Sequence, residues 1–182
     1  MSKRAVIVVD LQNEYFPSGK LPLVGIERAV ANAARVIDDA RVNGNRVIHV
    51  RHESVAPDAP FFVPGTAGVD IHPAVAPLDN EQIVVKNHPN SFLKTALKGM
   101  LDEMGIEELV VIGAMSHMCI DATCRAASDL GYKTIVIHDA CATRDLEFSG
   151  QVVPATQVHA ALMAALAFAY ATVTTTDEYL AH

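Results

Sequence analysis

Three apolar stretches each run into a side chain that can do chemistry. Ala5-Val6-Ile7-Val8-Val9 ends in Asp10, Ile83-Val84-Val85 ends in Lys86, and Leu109-Val110-Val111-Ile112 leads through Gly113-Ala114-Met115-Ser116-His117-Met118 to Cys119. A thiol can act as nucleophile and a carboxylate can take its proton. A fixed ammonium can keep that carboxylate ionised and stabilise developing negative charge. Cys119 follows a strand and a Gly-Ala turn and opens a predicted helix. The positive end of the helix dipole is therefore expected to lower its pKa and favour thiolate. Each residue also has a plainer reading: a buried cysteine that only packs, a carboxylate that caps the next turn, a surface lysine in a loop. Their joint occurrence at three strand ends favours the chemical reading. Cys124, one turn into the same helix, and Cys141 lack this placement and read as packing.

Residues so far apart in the chain meet only if the strands lie side by side, and the chain between them has the right rhythm. Strands are predicted at Ala5–Val9, Arg46–Val50, Gln82–Val85, Leu109–Ile112, Thr134–Ile137 and Thr172–Thr175. Between them, apolar residues at helical spacing (Ile26, Ala29, Val30, Ala33, Ala34, Val36, Ile37) predict a helix over 26–42 that Asn43-Gly44 ends. Asn90 or Ser91 is placed to cap a helix through about Met104, stopped by Gly105. Further helices are expected from near Cys119 to Gly131 and over about Ala155–Tyr170. This βαβα alternation predicts a mostly parallel sheet covered by helices on both faces, whose carboxyl edge is the usual place for ligands. The stretch 52–80 breaks the rhythm. It carries Pro57, Pro60, Pro64, Pro73 and Pro77, and with Phe61-Phe62 it reads as an ordered lid or a subunit contact.

The bulk properties narrow the class. The chain has 182 residues, half of them hydrophobic, which suits one domain over 1–182 with a sizeable core. A net charge of −7 and the lack of a basic run argue against nucleic-acid binding. Met1-Ser2-Lys3-Arg4 runs straight into a strand without signal-peptide features, and no apolar run reads as a membrane span. Three cysteines without a Cys-x-x-Cys argue against a disulfide framework or a zinc ribbon, so a reducing cytoplasm is the expected setting.

The segments Val9-Asp10-Leu11-Gln12-Asn13-Glu14-Tyr15, Val85-Lys86 and Gly113-Ala114-Met115-Ser116-His117-Met118-Cys119-Ile120-Asp121 resemble, in order and spacing, the three motifs of the isochorismatase-like cysteine hydrolases, a family that includes nicotinamidases and other amidohydrolases. The resemblance covers nearly the whole chain. It implies a three-layer α/β/α fold with a six-stranded sheet in the order 3-2-1-4-5-6, and an Asp10-Lys86-Cys119 triad. It further implies a non-proline cis peptide at Ala114–Met115 and an oxyanion hole made by the Met115 and Cys119 N–H groups. Many members carry Thr where this chain has Ser116, a change that keeps the hydroxyl. Isochorismatases proper lack the nucleophilic cysteine, so Cys119 argues against vinyl-ether cleavage. Nicotinamidases resemble one another in an Asp-x-His…His metal cluster after strand two, where this chain reads Val50-Arg51-His52-Glu53-Ser54. Asp70-Ile71-His72 spells the pattern some twenty residues later, so no metal is expected and nicotinamide is a doubtful substrate.

Eight histidines raise the rival of a Cys-His pair. His117, two residues before Cys119, reads better as lining the pocket mouth. His159, beside Val158 and Leu162, reads as a core or interface histidine, and His49 as structural. Tyr15, Phe61, Ser116 and His117 are the candidate substrate contacts, with core packing an equal reading for Tyr15 and Phe61. The function that follows is cleavage of a C–N bond in a small amide, carbamoyl or ureide compound through a thioester, with no cofactor. The alternative is a non-hydrolytic member of the same fold whose thiol senses oxidants or binds a partner. A dinucleotide-binding domain is opposed by Asp10-Leu11-Gln12-Asn13, which lacks the Gly-x-Gly-x-x-Gly turn. The alanine-rich last helix and the family resemblance suggest a homo-oligomer, dimer or tetramer.

Overall fold

The computed structural model describes residues 3–56 and 58–181. Its centre is a six-stranded parallel sheet built from β1 (Arg4–Val9), β2 (Arg46–His52), β3 (Gln82–Lys86), β4 (Glu108–Ala114), β5 (Lys133–Ala142) and β8 (Thr172–Thr174), in the order β3-β2-β1-β4-β5-β8. This is the expected 3-2-1-4-5-6 arrangement. The sixth strand is eighth in the chain because a small antiparallel hairpin, β6 (Leu146–Phe148) with β7 (Gln151–Val153), stands outside the sheet. Helices α1 (Ile26–Val42), α2 (Leu97–Glu103), α3 (Asp121–Asp129), α4 (Ala155–Ala169) and α5 (Thr176–Leu180) complete the fold.

The middle strand shows why the layers form. β1 is apolar at every position from Ala5 to Val9, so both of its faces need cover. Val6 and Val8 pack with Ala29, Ala33, Val36 and Ile37 of α1. Ala5, Ile7 and Val9 pack on the other side with Leu97 and Leu101 of α2, Cys124 and Ala127 of α3, and Met163 and Leu166 of α4. Each fully buried side chain of this size contributes about 1.5–3 kcal/mol. The register then fixes the carboxyl edge: Val9 pairs with Val50 on one side and Gly113 on the other, and His52 pairs with Lys86.

Four local readings differ from expectation. α2 begins at Leu97 rather than near Asn90 because Ser91 does not cap it. The Ser91 N–H and hydroxyl instead meet Thr123 Oγ1 at 3.1 and 2.8 Å, which ties the segment to α3. β5 runs on to Ala142 because β4 shifts register after Val111 and resumes pairing at Gly113–Cys141. The β6–β7 hairpin turns at Ser149 (φ 50°) and Gly150 (φ 78°), and its strands are too short and exposed to show a pattern. α5 starts on a capping box, with Thr175 and Glu178 satisfying each other's backbone N–H groups.

The long segment after β2 is held down by residues 11–14. Gln12 Nε2 donates to the carbonyls of His52 (2.9 Å) and Val69 (2.7 Å), and its Oε1 accepts from the His52 N–H (2.8 Å). Backbone bonds from Asn13 to Asp70, Glu14 to Gly68 and His72 to Leu11 add three more anchors. At its far end Glu81 accepts from Arg41, His49 and the Leu78 N–H. No helix among the described residues is long and apolar enough to cross a membrane.

Candidate active site

The register brings Asp10, Lys86 and Cys119 to one point. Asp10 follows β1 at φ 53°, a conformation that L-residues rarely adopt and that persists only where the surroundings dictate it. Its N–H donates to the Val50 carbonyl at 2.9 Å, which continues the β1–β2 ladder and fixes where the carboxylate points. Lys86 is the last residue of β3. Cys119 lies past β4, in a wide π-helical turn over Ser116–Ile120 that runs directly into α3. The peptide bond Ala114–Met115 is cis. Gly113 of β4 lies opposite Val9 of β1. A Cβ there would lie 1.9 Å from the Val9 carbonyl oxygen, and its φ of +129° is a glycine conformation.

All three side chains are buried, Asp10 fully and Cys119 to 5% exposure. Lys86 Nζ lies 2.7 Å from Asp10 Oδ2, 3.2 Å from Cys119 Sγ and 3.0 Å from His52 Nδ1. One ammonium thus touches an acid, a thiol and an imidazole. Burial works against the charge on Lys86, but the attraction of Asp10 outweighs it and holds the pKa above the usual lysine value. Burial pushes the Cys119 thiol far above the ordinary thiol range, Asp10 pushes the same way, and Lys86 opposes both. This corrects the expected resting thiolate. The helix-terminus argument omitted both the loss of water and the neighbouring carboxylate, and both favour the protonated sulfur. Burial and then Lys86 lower the pKa of His52, which leaves its ring neutral near pH 7.

His52 was not singled out from the sequence. It ends β2, Arg-Val-Ile-His-Val-Arg-His, beside a second polar residue, and nothing in that pattern marks it. Its available signal was its place at the carboxyl end of a strand next to that of Lys86. One oxygen of Asp10, one nitrogen of His52 and Cys119 Sγ lie within 4.8 Å of one another, the only cluster of three such ligands among the described residues. The donor set does not fit a resident metal, because the Lys86 ammonium already touches all three and a divalent ion would lie against that charge. Asp70 and His72 belong to no such cluster. The His72 ring stacks on Phe16 at 3.9 Å and its Nδ1 accepts from the Ala74 N–H.

The remaining candidates divide. Tyr15 is buried near Asp10 and Cys119, and its pKa is raised by burial and by those two neighbours. Its ring meets Phe62 edge-on at 5.1 Å, and Phe62 in turn meets the His52 ring at 5.3 Å. Phe61 packs on Phe62, one ring further out. Ser116 is fully buried, with its Oγ 2.8 Å from His159 Nδ1 and 3.3 Å from the Ala142 carbonyl oxygen, so its hydroxyl is engaged away from Cys119. His117 Nδ1 pairs with Thr143 Oγ1 at 2.6 Å.

A parallel sheet in this order, with a buried acid, ammonium and thiol at its carboxyl edge, defines an α/β fold with a reactive cluster at the usual ligand edge, and comparison with known proteins identifies its family. Residues 4–178 match the isochorismatase domain, and the chain belongs to that family. It is 51% identical to the uncharacterized isochorismatase family protein YddQ of Bacillus subtilis, over 97% of this chain and 98% of that one. The crystal structure of a protein assigned as an isochorismatase hydrolase from Oleispira antarctica superposes with a TM-score of 0.95 at 52% identity, over 98% of this chain and 96% of that one. Streptothricin hydrolase of Streptomyces noursei is 36% identical over 79% of this chain, which spans about half (51%) of that protein. More distant relatives are Nicotinamidase 3 of Arabidopsis thaliana (27%, covering 92% and 82%) and ureidoacrylate amidohydrolase RutB of Rhizobium rhizogenes (25%, covering 76% and 70%).

Proposed function

We propose that this isochorismatase-family hydrolase cleaves the C–N bond of a small amide, carbamoyl or ureide compound, with Cys119 as nucleophile and Asp10 and Lys86 as its partners. One observation carries the reading: a single buried ammonium bridges the Asp10 carboxylate and the Cys119 sulfur. The activities for which streptothricin hydrolase, Nicotinamidase 3 and ureidoacrylate amidohydrolase are named support the bond type.

Asp10 takes the Cys119 proton as the substrate carbonyl approaches, and the sulfur adds to the carbonyl carbon. A high resting thiol pKa suits this order, because the thiolate forms only with an electrophile at hand and is stabilised by Lys86 as it forms. The Met115 and Cys119 N–H groups collect the negative charge on the former carbonyl oxygen. Asp10 then passes its proton to the leaving nitrogen, the C–N bond breaks, and a thioester remains. Asp10 next takes a proton from water, the hydroxyl adds to the thioester carbon, and the carboxylic or carbamic acid departs as Cys119 regains a proton. Tyr15 and Phe62 supply apolar walls that exclude water. An oxidant-sensing role fits less well, since sensor thiols are exposed and of low pKa, whereas Cys119 is buried and its surroundings raise its pKa.

The test is ammonia or amine release from a panel of small amides, carbamoyl compounds and ureides, with Cys119→Ala and Asp10→Asn as controls. A panel member turned over by the wild type and by neither variant supports the reading. Equal turnover by Cys119→Ala contradicts it.

A further inference from the structure

His52 belongs to no motif discussed above, yet it is built into the site as firmly as the other three residues. Both of its backbone groups are clamped by the Gln12 side chain, and Phe62 meets its ring edge-on. Its Nδ1 lies 3.0 Å from Lys86 Nζ. An ammonium has three protons and no lone pair. Asp10 Oδ2 at 2.7 Å is its ion-pair partner, and the Cys119 sulfur at 3.2 Å and the imidazole are its hydrogen-bond partners. His52 must therefore accept through Nδ1 and keep its own proton on Nε2. Without that acceptor the ammonium has two partners and is free to tilt away from the sulfur.

Resting on the hydrolytic reading above, we propose that His52 is a positioning residue: its Nδ1 lone pair holds the Lys86 ammonium between Asp10 and Cys119, so the site works only while His52 is neutral. Protonation would place a second positive charge against Lys86 and remove the acceptor at once. The groups facing the ring are Lys86 and His88 from β3 and the residues after it, Asp10 from the end of β1, and Cys119 from the turn after β4. Lys86 and His88 oppose a charge on the ring, Asp10 favours it, and burial opposes it most. The acid limb of turnover thus falls below the ordinary imidazole value of 6.5.

Two variants and one spectrum test this. Asn places its side-chain oxygen where His carries Nδ1 but does not titrate. His52→Ala is expected to lower kcat at least about tenfold with KM little changed. His52→Asn restores most of that loss, and its acid limb moves to lower pH than that of the wild type. Nitrogen-15 NMR of the resting protein at pH 7 is expected to show His52 with Nδ1 bare and Nε2 protonated. Wild-type kcat in His52→Ala, an acid limb unmoved in His52→Asn, or a proton on Nδ1 would each overturn the proposal. The spectrum needs no substrate. Turnover by Cys119→Ala would therefore remove the hydrolytic reading, while the position of the imidazole proton would still decide what His52 does to Lys86.

Discussion

The Lys86 ammonium lies 3.2 Å from the Cys119 sulfur although β3 and β4 are separated in the sheet by β2 and β1. The lysine side chain and the turn that carries Cys119 reach toward each other over the ends of the two intervening strands, where Lys86 meets Asp10 and His52. The site is therefore a property of strand order. No neighbouring pair of strands could assemble it.

Lys86 is expected to serve the fold as well as the proposed chemistry. Removing one partner of a buried ion pair leaves the other charged without water, which typically costs about 3–5 kcal/mol. Lys86→Met, similar in length and uncharged, is expected to lose about that much in urea denaturation at pH 7. Stability equal to wild type would mean that the Asp10–Lys86 pair contributes nothing to the folded state.

Cys119 should alkylate slowly at neutral pH. A raised thiol pKa means that the proton stays on sulfur below it, so the iodoacetamide rate at pH 7 is expected to be below that of free cysteine and to climb through pH 9 without levelling. A plateau reached near pH 6 would show a resting thiolate and reverse the electrostatic assignment.

Gly113 tests the close approach of β1 and β4. Gly113→Ala puts a methyl group 1.9 Å from the Val9 carbonyl oxygen at a φ of +129°. The two strand ends must part, which moves Asp10 relative to Cys119. A loss of about 3 kcal/mol or more is expected, and thermal unfolding measures it. A midpoint within a degree or two of wild type would contradict the tight packing.

Glu81 anchors the end of the long segment to α1 and β2, and its pKa falls from 4.5 to about 2. Burial acts to raise it, but the hydrogen bonds from Arg41, Leu78 and His49 outweigh that. Because the folded-state value is the lower one, its stabilisation is present above pH 4.5 and is lost as pH falls toward 2. The shift corresponds to about 3 kcal/mol. Glu81→Gln is expected to be destabilised by about that much at pH 7 and to show a shallower fall in stability between pH 5 and 2. An unchanged acid slope would place the stabilisation elsewhere.

Much of this was legible before the structure. The strand ends at Asp10, Lys86 and Cys119 stand out because apolar runs stop abruptly at reactive side chains, and the alternation with α1 and α4 dictates a parallel sheet. What escaped notice depends on contacts across the chain. Ser91 carries a cap residue's hydroxyl but is held by Thr123. The Ser116 hydroxyl turns to His159 rather than to the thiol. The sign of the Cys119 shift needs the burial and the Asp10 charge, neither of which helix position reveals. His52 becomes visible only when its strand is laid beside β3. Thr175-x-x-Glu178, by contrast, was a readable capping signal for α5.

The most direct measurement is intact-protein mass spectrometry of enzyme quenched in acid during turnover of whichever panel compound releases ammonia or amine. A mass increase equal to the acyl fragment, mapped to Cys119 and absent from Cys119→Ala, is the predicted result. Turnover at full rate with no adduct on Cys119, and undiminished in Cys119→Ala, would contradict the account.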